Sequence, residues 1–367
     1  MSLDLFFRGN LFTFLSRLAY KLGDFIYICR VQTLLFNPWN DLALAANDPH
    51  YTPPASARQM AADLADLSRL WSPDDSCAPF LPWGWSPLQV RLLREAGVPE
   101  EQLPTAEQLE EYRACSSRQR AVGLLAALRQ ALATRTDCVP FWNRIVGESV
   151  WCTTEEEVRE AHARYGESML KAPWSGSGRG VHPAHGGVLD GKTAAWVRRT
   201  LARQGGIEAE PIYNKVQDLA MEFWVEPLMP RTDVSSEQTP HRQVRYEGLS
   251  VFATTDGGVY DGNLVASEQE KEARVARYIP MALLRAVRET LLELLAVEGS
   301  LASWYRGPVG IDMMIVAGSS FSLHPFVELN HRMTMGWLAC LLFQREPRGC
   351  RRFRIVQEAG RYRYELS

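Results

Sequence analysis

The chain has 367 residues, of which 46% are hydrophobic, 10% aromatic and 23% charged. This composition excludes disordered, collagen-like and low-complexity proteins, and the length allows two or three domains. Forty basic and 43 acidic side chains give a net charge of −3, so no overall positive field favours nucleic acid or an anionic membrane as a partner. Lysine is scarce. It occurs only at positions 21, 171, 192, 215 and 271, and a lysine within a motif therefore stands out.

The seven cysteines are scattered and form no CxxC pair. This pattern argues against a disulfide framework or a structural zinc site and favours a reduced, cytoplasmic protein. Residues 1–30 are apolar, but charged residues interrupt every long apolar stretch, which argues against a membrane span. The segment is predicted to be an N-terminal extension, with an amphipathic helix docked on the body or a partner, or contact with a membrane surface, as alternatives.

Residues 31–114 are predicted to form a small α/β domain. The apolar runs 31–36 and 78–83 are typical of short buried strands, and 56–71 and 86–96 show apolar residues at helical spacing. Strand, helix, strand, helix implies a small parallel sheet. Polar residues follow the first run and either line a ligand pocket or cap and turn the chain; they are Asn37, Asn40, Asp41, Asp48 and Tyr51.

The rest of the chain alternates between predicted helices and strands. Two helices are expected within 105–132, the second capped by Ser116 or Ser117. Strand-like CVPFW, a helix capped by Thr153 or Thr154, and strand-like SMLKAPW follow. A helix at 193–204 precedes strand-like IEAEPIY and LAMEFWVE, further strands at 245–265 with a DGG turn, a helix at 281–297 and a hairpin at 307–332. The arginine-rich tail after 345 shows no core face and is expected to be peripheral or weakly ordered.

Two glycine-rich stretches suggest phosphate binding. GGVLDGKT at 186–193 has P-loop spacing, but the residues before it make a poor central strand, which favours a turn leading into a helix. GSGRG at 176–180 lacks the spacing of a dinucleotide fingerprint and enters no helix. It is either a tight hairpin or a flap between two strands, whose backbone amides wrap a triphosphate while Lys171 supplies a positive charge.

The hairpin at 307–332 carries oxygen ligands. Asp312 ends the apolar run GPVGID, and Glu328 and Asn330 are two residues apart, so both point to one face of a strand. Carboxylate and amide oxygens on neighbouring strands suit Mg²⁺ that bridges nucleotide phosphates. The alternative is that the two acids are solvated residues at strand ends.

Together these motifs resemble the ATP-grasp superfamily over about residues 115–345. The resemblance implies the ATP-grasp fold, in which two α+β subdomains (115–205 and 206–345) clasp the nucleotide. They would follow the 31–114 domain and precede a tail at 346–367. ATP and Mg²⁺ are the implied cofactors. The FNPWND segment, APWSGSGRG and NHRMTMG resemble an uncharacterised bacterial branch of the superfamily.

The resemblance also implies roles for individual residues. Lys171 would be the phosphate lysine, and the flap would comprise Ser175, Gly176, Ser177, Gly178 and Gly180. The adenine hinge would be formed by Glu210, Pro211, Ile212 and Tyr213. Asp218 would take the ribose hydroxyls, with Glu222 as a rival, while Lys215 either reaches phosphate or pairs with Asp218. The Mg²⁺ ligands would be Asp312, Glu328 and Asn330.

Two departures from the superfamily pattern concern positive charge. Many members have an earlier lysine, and this chain has none between positions 21 and 171; Arg118, Arg120 or Arg144 would supply that charge. Many ligases carry an arginine two residues before the metal-binding aspartate, where this chain has Gly310. Arg332 or Arg306 would replace it as the catalytic arginine.

The function implied by the resemblance is ATP-dependent ligation of a carboxylate to an amine or a thiol through an acyl phosphate. The alternatives are a nucleotide-binding protein without ligase activity and a kinase on the same scaffold. The expected partners are a small carboxylate and an amine, without nucleic acid or membrane, and a homodimer is left open.

Overall fold

The computed structural model describes residues 31–72, 80–176, 180–229, 241–255 and 259–367. Predictions for the N-terminal extension at 1–30, for Ser177 and Gly178 of the flap and for the DGG turn at 256–258 lie outside these residues.

The described residues of the first part of the chain, 31–72 and 80–115, are helical or irregular. Its helices are residues 31–35 (α1), Asn40–Ala46 (α2), Ala55–Asp63 (α3), Pro87–Glu95 (α4) and Ala106–Cys115 (α5). The described residues between 31 and 114 contain no strand, so the predicted parallel sheet is wrong. Val31 and Leu35 are buried one helical turn apart, and an apolar run this short does not distinguish a strand from a buried helix.

Both helices predicted in this part are confirmed. The 56–71 pattern becomes α3 followed by a 3₁₀ turn at Ala65–Leu70. Helix α4 begins where the Ser86 side chain accepts a hydrogen bond from the Gln89 N–H, and Pro87 occupies the first turn, where its missing N–H costs nothing.

The helix pair predicted within 105–132 is confirmed as α5 and Arg118–Thr134 (α6). Ser117 caps α6, and its buried face includes Leu125, Leu128 and Leu132. The strand predicted for CVPFW is wrong, because Val139–Arg144 forms a 3₁₀ turn. Proline lacks the N–H that a central strand needs.

A four-stranded antiparallel sheet follows. Its strands are Val150–Cys152 (β1), Ser168–Lys171 (β2), Val181–Ala184 (β3) and Ile207–Pro211 (β4), in the order β1-β4-β2-β3. Helices Glu155–Tyr165 (α7) and Gly191–Gln204 (α8) cover one face through an apolar cluster. Lys171 lies opposite Glu208 in register, so these two side chains share a face.

The P-loop spacing at 186–193 belongs to a turn that leads into a helix, as the sequence favoured. Its preceding strand, β3, is an edge strand. The Asp190 side chain caps α8 by accepting a hydrogen bond from the Thr193 N–H at 2.7 Å.

The second sheet is larger, and its strands are all antiparallel. They are Lys215–Val225 (β5), Val244–Thr254 (β6), Tyr260–Val265 (β7), Gly307–Val316 (β8), Ser322–Asn330 (β9), Arg351–Glu358 (β10) and Arg361–Leu366 (β11), in the order β11-β10-β7-β6-β5-β8-β9. Helices Met281–Ala296 (α10) and α6 pack on the face that carries Leu219, Met221 and Phe223. Helix Met335–Arg345 (α11) covers part of the opposite face, and Glu268–Val275 (α9) packs beside β6.

The C-terminal tail, predicted to be peripheral or weakly ordered, is peripheral and forms two strands. Strands β10 and β11 extend the large sheet at its edge. Phe353 is fully buried, and the Tyr362 N–H donates to Asp63 of α3 at 2.9 Å. The strand pattern of the tail is hard to recognise in the sequence, because arginines flank its single fully buried aromatic residue, Phe353.

The predicted mixed class, with helices packed on two separate sheets, is confirmed by the structure. Among the described residues, none of the helices combines the length and the apolar character that crossing a bilayer requires.

Candidate functional site

Lys171 ends strand β2 and is buried between two acids. Its Nζ lies 2.7 Å from Glu210 Oε1 and 3.7 Å from Glu208 Oε1. Burial raises the pKa of Glu210 to about 7, although Lys171 opposes this rise and Glu208 adds to it. The two carboxylates therefore hold the ammonium group at the end of its strand.

The segment 210–213 connects the small sheet to the large one. The Glu210 carboxylate faces Lys171 and lies 3.9 Å from His324 Nε2 on β9. The Tyr213 ring packs edge-on against His324, and its hydroxyl accepts a hydrogen bond from the Glu148 N–H at 3.0 Å. Pro211 ends β4, and the Ile212 N–H donates to the Glu167 carbonyl at 3.2 Å.

The described parts of the glycine-rich loop lie close to other elements. The Ala172 N–H donates to the Gly180 carbonyl at 2.8 Å and closes the base of the loop. A Cβ on Gly176 would lie 2.2 Å from Asp41 Oδ2. Gly180 has a φ of +73°, and a Cβ there would lie 2.7 Å from the Ser175 Cβ. Gly180 therefore favours glycine for its backbone conformation, and a side chain at Gly176 would displace the Asp41 carboxylate.

Asp218 and Lys215 form a pair near the start of β5. Lys215 Nζ donates to Asp218 Oδ2 and to the Thr254 hydroxyl, each at 2.7 Å. The Thr254 hydroxyl donates to the same carboxylate at 2.8 Å. Of the two alternatives predicted for Lys215, pairing with Asp218 is the arrangement that the structure contains.

The predicted metal ligands come together on one face of the β8–β9 hairpin. Asp312 lies opposite Glu328, and Gly310 lies opposite Asn330. Burial raises the pKa of Asp312 to about 7, with a further rise from Glu328 and an opposing effect of the hydrogen bond from Asn330. Two facing carboxylates disfavour each other's ionised form, and a cation bound between them would offset this repulsion.

This donor set fits Mg²⁺. It offers carboxylate and amide oxygens, and Mg²⁺ uses few protein ligands because phosphate oxygens and water complete its shell. Within the described ranges no group of three His, Cys, Asp or Glu side chains is arranged to hold a metal, so a cation here would depend on ligands beyond the protein.

Arg118 links the two sheets and the loop. It is the first residue of α6 and only 5% exposed. Its Nη2 donates to Glu328 Oε1 at 2.8 Å and approaches the Ser175 hydroxyl at 3.4 Å, while Nη1 lies 3.7 Å from Glu208 Oε2.

The other two candidate arginines are elsewhere. Arg144 donates to the backbone carbonyls of Phe321 and Tyr278. It therefore links two segments that are distant in the sequence. Arg120, two residues after Arg118 in α6, is half-buried and lies beside Cys115. Of the three, Arg118 is therefore the arginine at the junction of the small sheet, the loop and the β8–β9 hairpin.

The two candidate catalytic arginines also differ in position. Arg332 directly follows the hairpin and forms a two-bond ion pair with Asp41, with Nε and Nη2 at 3.0 and 2.9 Å from the carboxylate oxygens. Arg306 is half-exposed and pairs with Glu226 at 2.9 Å. It lies six residues before Asp312, about 20 Å along the strand, so the structure does not bring it to the other candidates.

The polar residues after position 36 divide into two groups. Asn37 is fully buried and exchanges hydrogen bonds with the backbone of Gly84, and Asp48 accepts from the His50 N–H. Tyr51 packs against an apolar cluster. These three shape the chain, whereas Asn40 and Asp41 line a cavity beside Glu328 and Arg332.

Sequence reasoning passed over two buried residues. Glu208 contacts both Lys171 and Arg118. Its spacing of two residues from Glu210 could have identified it, because alternate residues of a strand point to the same face. His324 lies beside Glu210, but nothing in its local sequence indicated this contact.

Glu222, the predicted rival of Asp218, lies under α11. A Cβ on Gly336 would lie 2.1 Å from Glu222 Oε1, and a Cβ on Gly310 would lie 2.9 Å from Glu222 Oε2. Burial raises the pKa of Glu222 to about 8, and the nearby Asp312 adds to this rise. The Glu222 side chain is 1% exposed, whereas Asp218, nearer the start of β5, is partly exposed.

No protein-family model matches this sequence, and no curated protein matches it significantly. The solved structures that resemble it include three enzymes. N5-carboxyaminoimidazole synthetase from Staphylococcus aureus, in complex with ADP, shares 11% identity with a TM-score of 0.36, over 67% of this chain and 51% of that one. D-alanyl-alanine synthetase A from Vibrio cholerae shares 13% identity with a TM-score of 0.38, over 70% of this chain and 66% of that one. Biotin carboxylase from Campylobacter jejuni, in a complex with β,γ-ATP, shares 12% identity with a TM-score of 0.41, over 71% of this chain and 50% of that one.

The chain thus spans about half the length of the first and third of these structures. With TM-scores below 0.5, these matches assign no activity to this chain.

Proposed function

We propose that the chain binds Mg·ATP between its two sheets and that it is an ATP-grasp ligase, joining a small carboxylate to an amine or a thiol. The observation that carries this proposal is the position of Arg118, which contacts Glu208 of the small sheet, Ser175 of the loop and Glu328 of the β8–β9 hairpin. A cation at this junction suits a chain of phosphates lying between the sheets. The proposal includes a cytoplasmic location and no nucleic-acid or membrane partner.

Residues of both sheets have a role in this proposal. The backbone at 210–213 would hold the adenine, and Asp218 the ribose. The phosphates would lie against Lys171, Arg118 and the amides of the loop from Ser175 to Gly180, since an ammonium, a guanidinium and backbone N–H groups are all suited to phosphate oxygens.

Asp312, Glu328 and Asn330 would hold Mg²⁺. The ion supplies positive charge that offsets the phosphate charge as phosphoryl transfer proceeds. Arg118 would then share Glu328 with the cation, so the Arg118 guanidinium becomes available to a phosphate oxygen.

The proposed chemistry has two displacement steps. A carboxylate oxygen of the substrate attacks the γ-phosphorus, and the bond from that phosphorus to the ADP oxygen breaks, which gives an acyl phosphate. The amine nitrogen then attacks the acyl carbon, phosphate leaves, and the proton of the amine passes to the departing phosphate. Arg332 lies beside the hairpin and would stabilise the negative charge that develops on the transferred group.

A second candidate function rests on Gly310. A Cβ at this position would lie 2.7 Å from Thr334 Cγ2 and 2.9 Å from Glu222 Oε2, so no side chain fits where many ligases carry an arginine. This observation favours a protein that binds Mg·ATP without forming an acyl phosphate.

The decisive experiment compares two lysine variants. Lys171→Met removes the buried ammonium, whereas Lys192→Met removes an exposed one at the start of α8 and serves as the matched control. Calorimetry with Mg·ATP should show strong loss of affinity for the first variant and unchanged affinity for the second. The reverse result would assign the nucleotide to the P-loop-like turn and end this proposal.

Turnover separates the remaining alternatives. ADP release should depend on a carboxylate and increase when an amine or a thiol is added, and mass spectrometry should detect the joined product. Tight Mg·ATP binding without acid-dependent ADP release supports the binding protein, and a stable phosphorylated product without an acceptor supports a kinase.

A further inference from the structure

The side chains of His324 and Glu210 face each other without forming a hydrogen bond. His324 Nε2 lies 3.9 Å from Glu210 Oε2, which is too long for a hydrogen bond. Neither atom has a hydrogen-bond partner among the described residues, and the two side chains are only 0% and 6% exposed. Because buried polar atoms are normally paired, this unmade contact between an imidazole and a carboxylate calls for an explanation.

The other oxygen of Glu210 is occupied by Lys171, whose Nζ lies 2.7 Å from Oε1. In the proposed function Lys171 binds a phosphate oxygen, so the nucleotide competes with Glu210 for this ammonium group. The present inference therefore rests on the proposed function. Release of Lys171 would leave a buried carboxylate without its ion-pair partner, which is strongly unfavourable.

His324 lies on the face of the large sheet that carries the proposed ribose residue, Asp218. Met314 of β8 is the neighbour of both, since it lies opposite Asp218 on one side and opposite His324 on the other. Directly opposite residues of antiparallel strands share a face, and two strand spacings amount to about 10 Å. His324 is therefore on the side of the sheet where the nucleotide is proposed to bind.

The His324 ring is tightly packed and uncharged. The Tyr213 ring packs edge-on against it, with the ring centres 5.2 Å apart, and a Cβ on Gly147 would lie 2.9 Å from its Cε1. Burial lowers the pKa of His324 to about 3, so at neutral pH the ring carries a single N–H. It can donate one hydrogen bond to a carboxylate without bringing a further positive charge into the interior.

We infer that His324 is a positioning residue for Lys171. When Lys171 moves to a phosphate oxygen, the His324 Nε2–H donates to Glu210 Oε2 and replaces part of the stabilisation that the ammonium supplied. The two atoms need to approach by about 1 Å to reach hydrogen-bond distance. Hydrogen bonds to charged groups are stronger than those between neutral groups, so this contact makes Lys171 easier to release.

The first test changes the donor. His324→Gln keeps an N–H near the position of Nε2, His324→Asn places one near Nδ1, and His324→Leu has a similar size but no donor. Calorimetry should give the wild-type Kd for Mg·ATP in the Gln variant and a Kd raised by about ten-fold or more in the other two. Equal Kd values in all three variants, whether raised or unchanged, would overturn the inference.

The second test separates the release of Lys171 from a purely structural role at the 210–213 segment. Adenosine has no phosphate, so its binding should leave Lys171 on Glu210. The Kd for adenosine, measured by NMR titration, should be the same in His324→Leu as in the wild type. A rise as large as the one for Mg·ATP would show that His324 only shapes this segment.

The third test uses the wild-type protein, so it does not depend on how well a variant folds. Nitrogen NMR with isotope-labelled histidine identifies which ring nitrogen carries the proton. Mg·ATP should shift the signal of a protonated Nε2 of His324, and adenosine should not. No shift with Mg·ATP, or a proton on Nδ1 in the complex, would contradict the inference. Failure of the wild-type protein to bind Mg·ATP in calorimetry would instead contradict the proposed function, and this inference with it.

Discussion

Arg118 Nη2 and Glu328 Oε1 lie 2.8 Å apart, although the two residues are 210 positions apart in the chain. The contact joins the start of helix α6 to the strand that carries the proposed metal ligands. Because Arg118 also lies near Glu208, one guanidinium neutralises acids from both sheets.

Replacing Arg118 with Met should destabilise the protein and weaken nucleotide binding. The change leaves two carboxylates without their cation, and breaking a buried pair in this way costs about 3–5 kcal/mol. Urea unfolding and calorimetry with Mg·ATP would measure the two effects. Arg120→Met, two residues away and half-buried, is the control. Equal effects of both changes would contradict the role assigned to Arg118.

His324 should make the protein less stable in acid. Burial, with help from Lys171 and Arg129, lowers the pKa of His324 from 6.5 to about 3. Below pH 6.5 the unfolded chain therefore binds a proton that the folded chain does not, so this residue reduces stability as pH falls, by about 1.4 kcal/mol per pH unit down to the folded pKa.

The variant His324→Gln lacks this titration. Between pH 6.5 and 4, the free energy of unfolding of the wild type should fall relative to this variant with the slope given above. His185→Gln, at an exposed histidine, should leave the slope unchanged. Parallel pH profiles for the wild type and His324→Gln would show that His324 is protonated normally in the folded state.

Alanine at Gly310 should destabilise the chain. Its Cβ would approach Thr334 and Glu222 to less than 3 Å, and overpacking of this kind costs about 1–3 kcal/mol. Gly123→Ala is the opposite case, because Gly123 lies in α6 with no atom within 4 Å of the new Cβ, and alanine is favoured in helices by about 1 kcal/mol. Thermal unfolding should therefore shift in opposite directions for the two variants.

Asn37 should contribute to stability through Gly84. Its amide donates to the Gly84 carbonyl at 3.0 Å and accepts from the Gly84 N–H at 3.2 Å, in a fully buried position. In Asn37→Ala the buried Gly84 N–H loses its partner, while the Gly84 carbonyl keeps the Asn40 amide as a donor at 3.1 Å, so the free energy of unfolding should fall by about 1–3 kcal/mol. Asn143→Ala, at an exposed position, should change it little, and a similarly small loss for Asn37→Ala would show that water replaces the amide.

The helices and the antiparallel strands from residue 105 onward were largely predictable, because their apolar spacing and caps are local. The failures have local causes too. The run at 31–36 is too short for its period to distinguish a helix from a strand, and the arginines of the tail conceal a strand pattern built around Phe353.

The sequence by itself determined which side chains are chemically unusual: a lysine before a glycine-rich loop, paired acids on a hairpin, and a glycine in place of an arginine. Only the tertiary structure decided which of them meet. The partners of Lys171, Glu328 and Arg332 are Glu210, Arg118 and Asp41, and they lie on other elements of the fold. Such long-range ion pairs leave no period or spacing in the sequence, because their geometry arises from how helices and sheets pack and not from neighbouring residues.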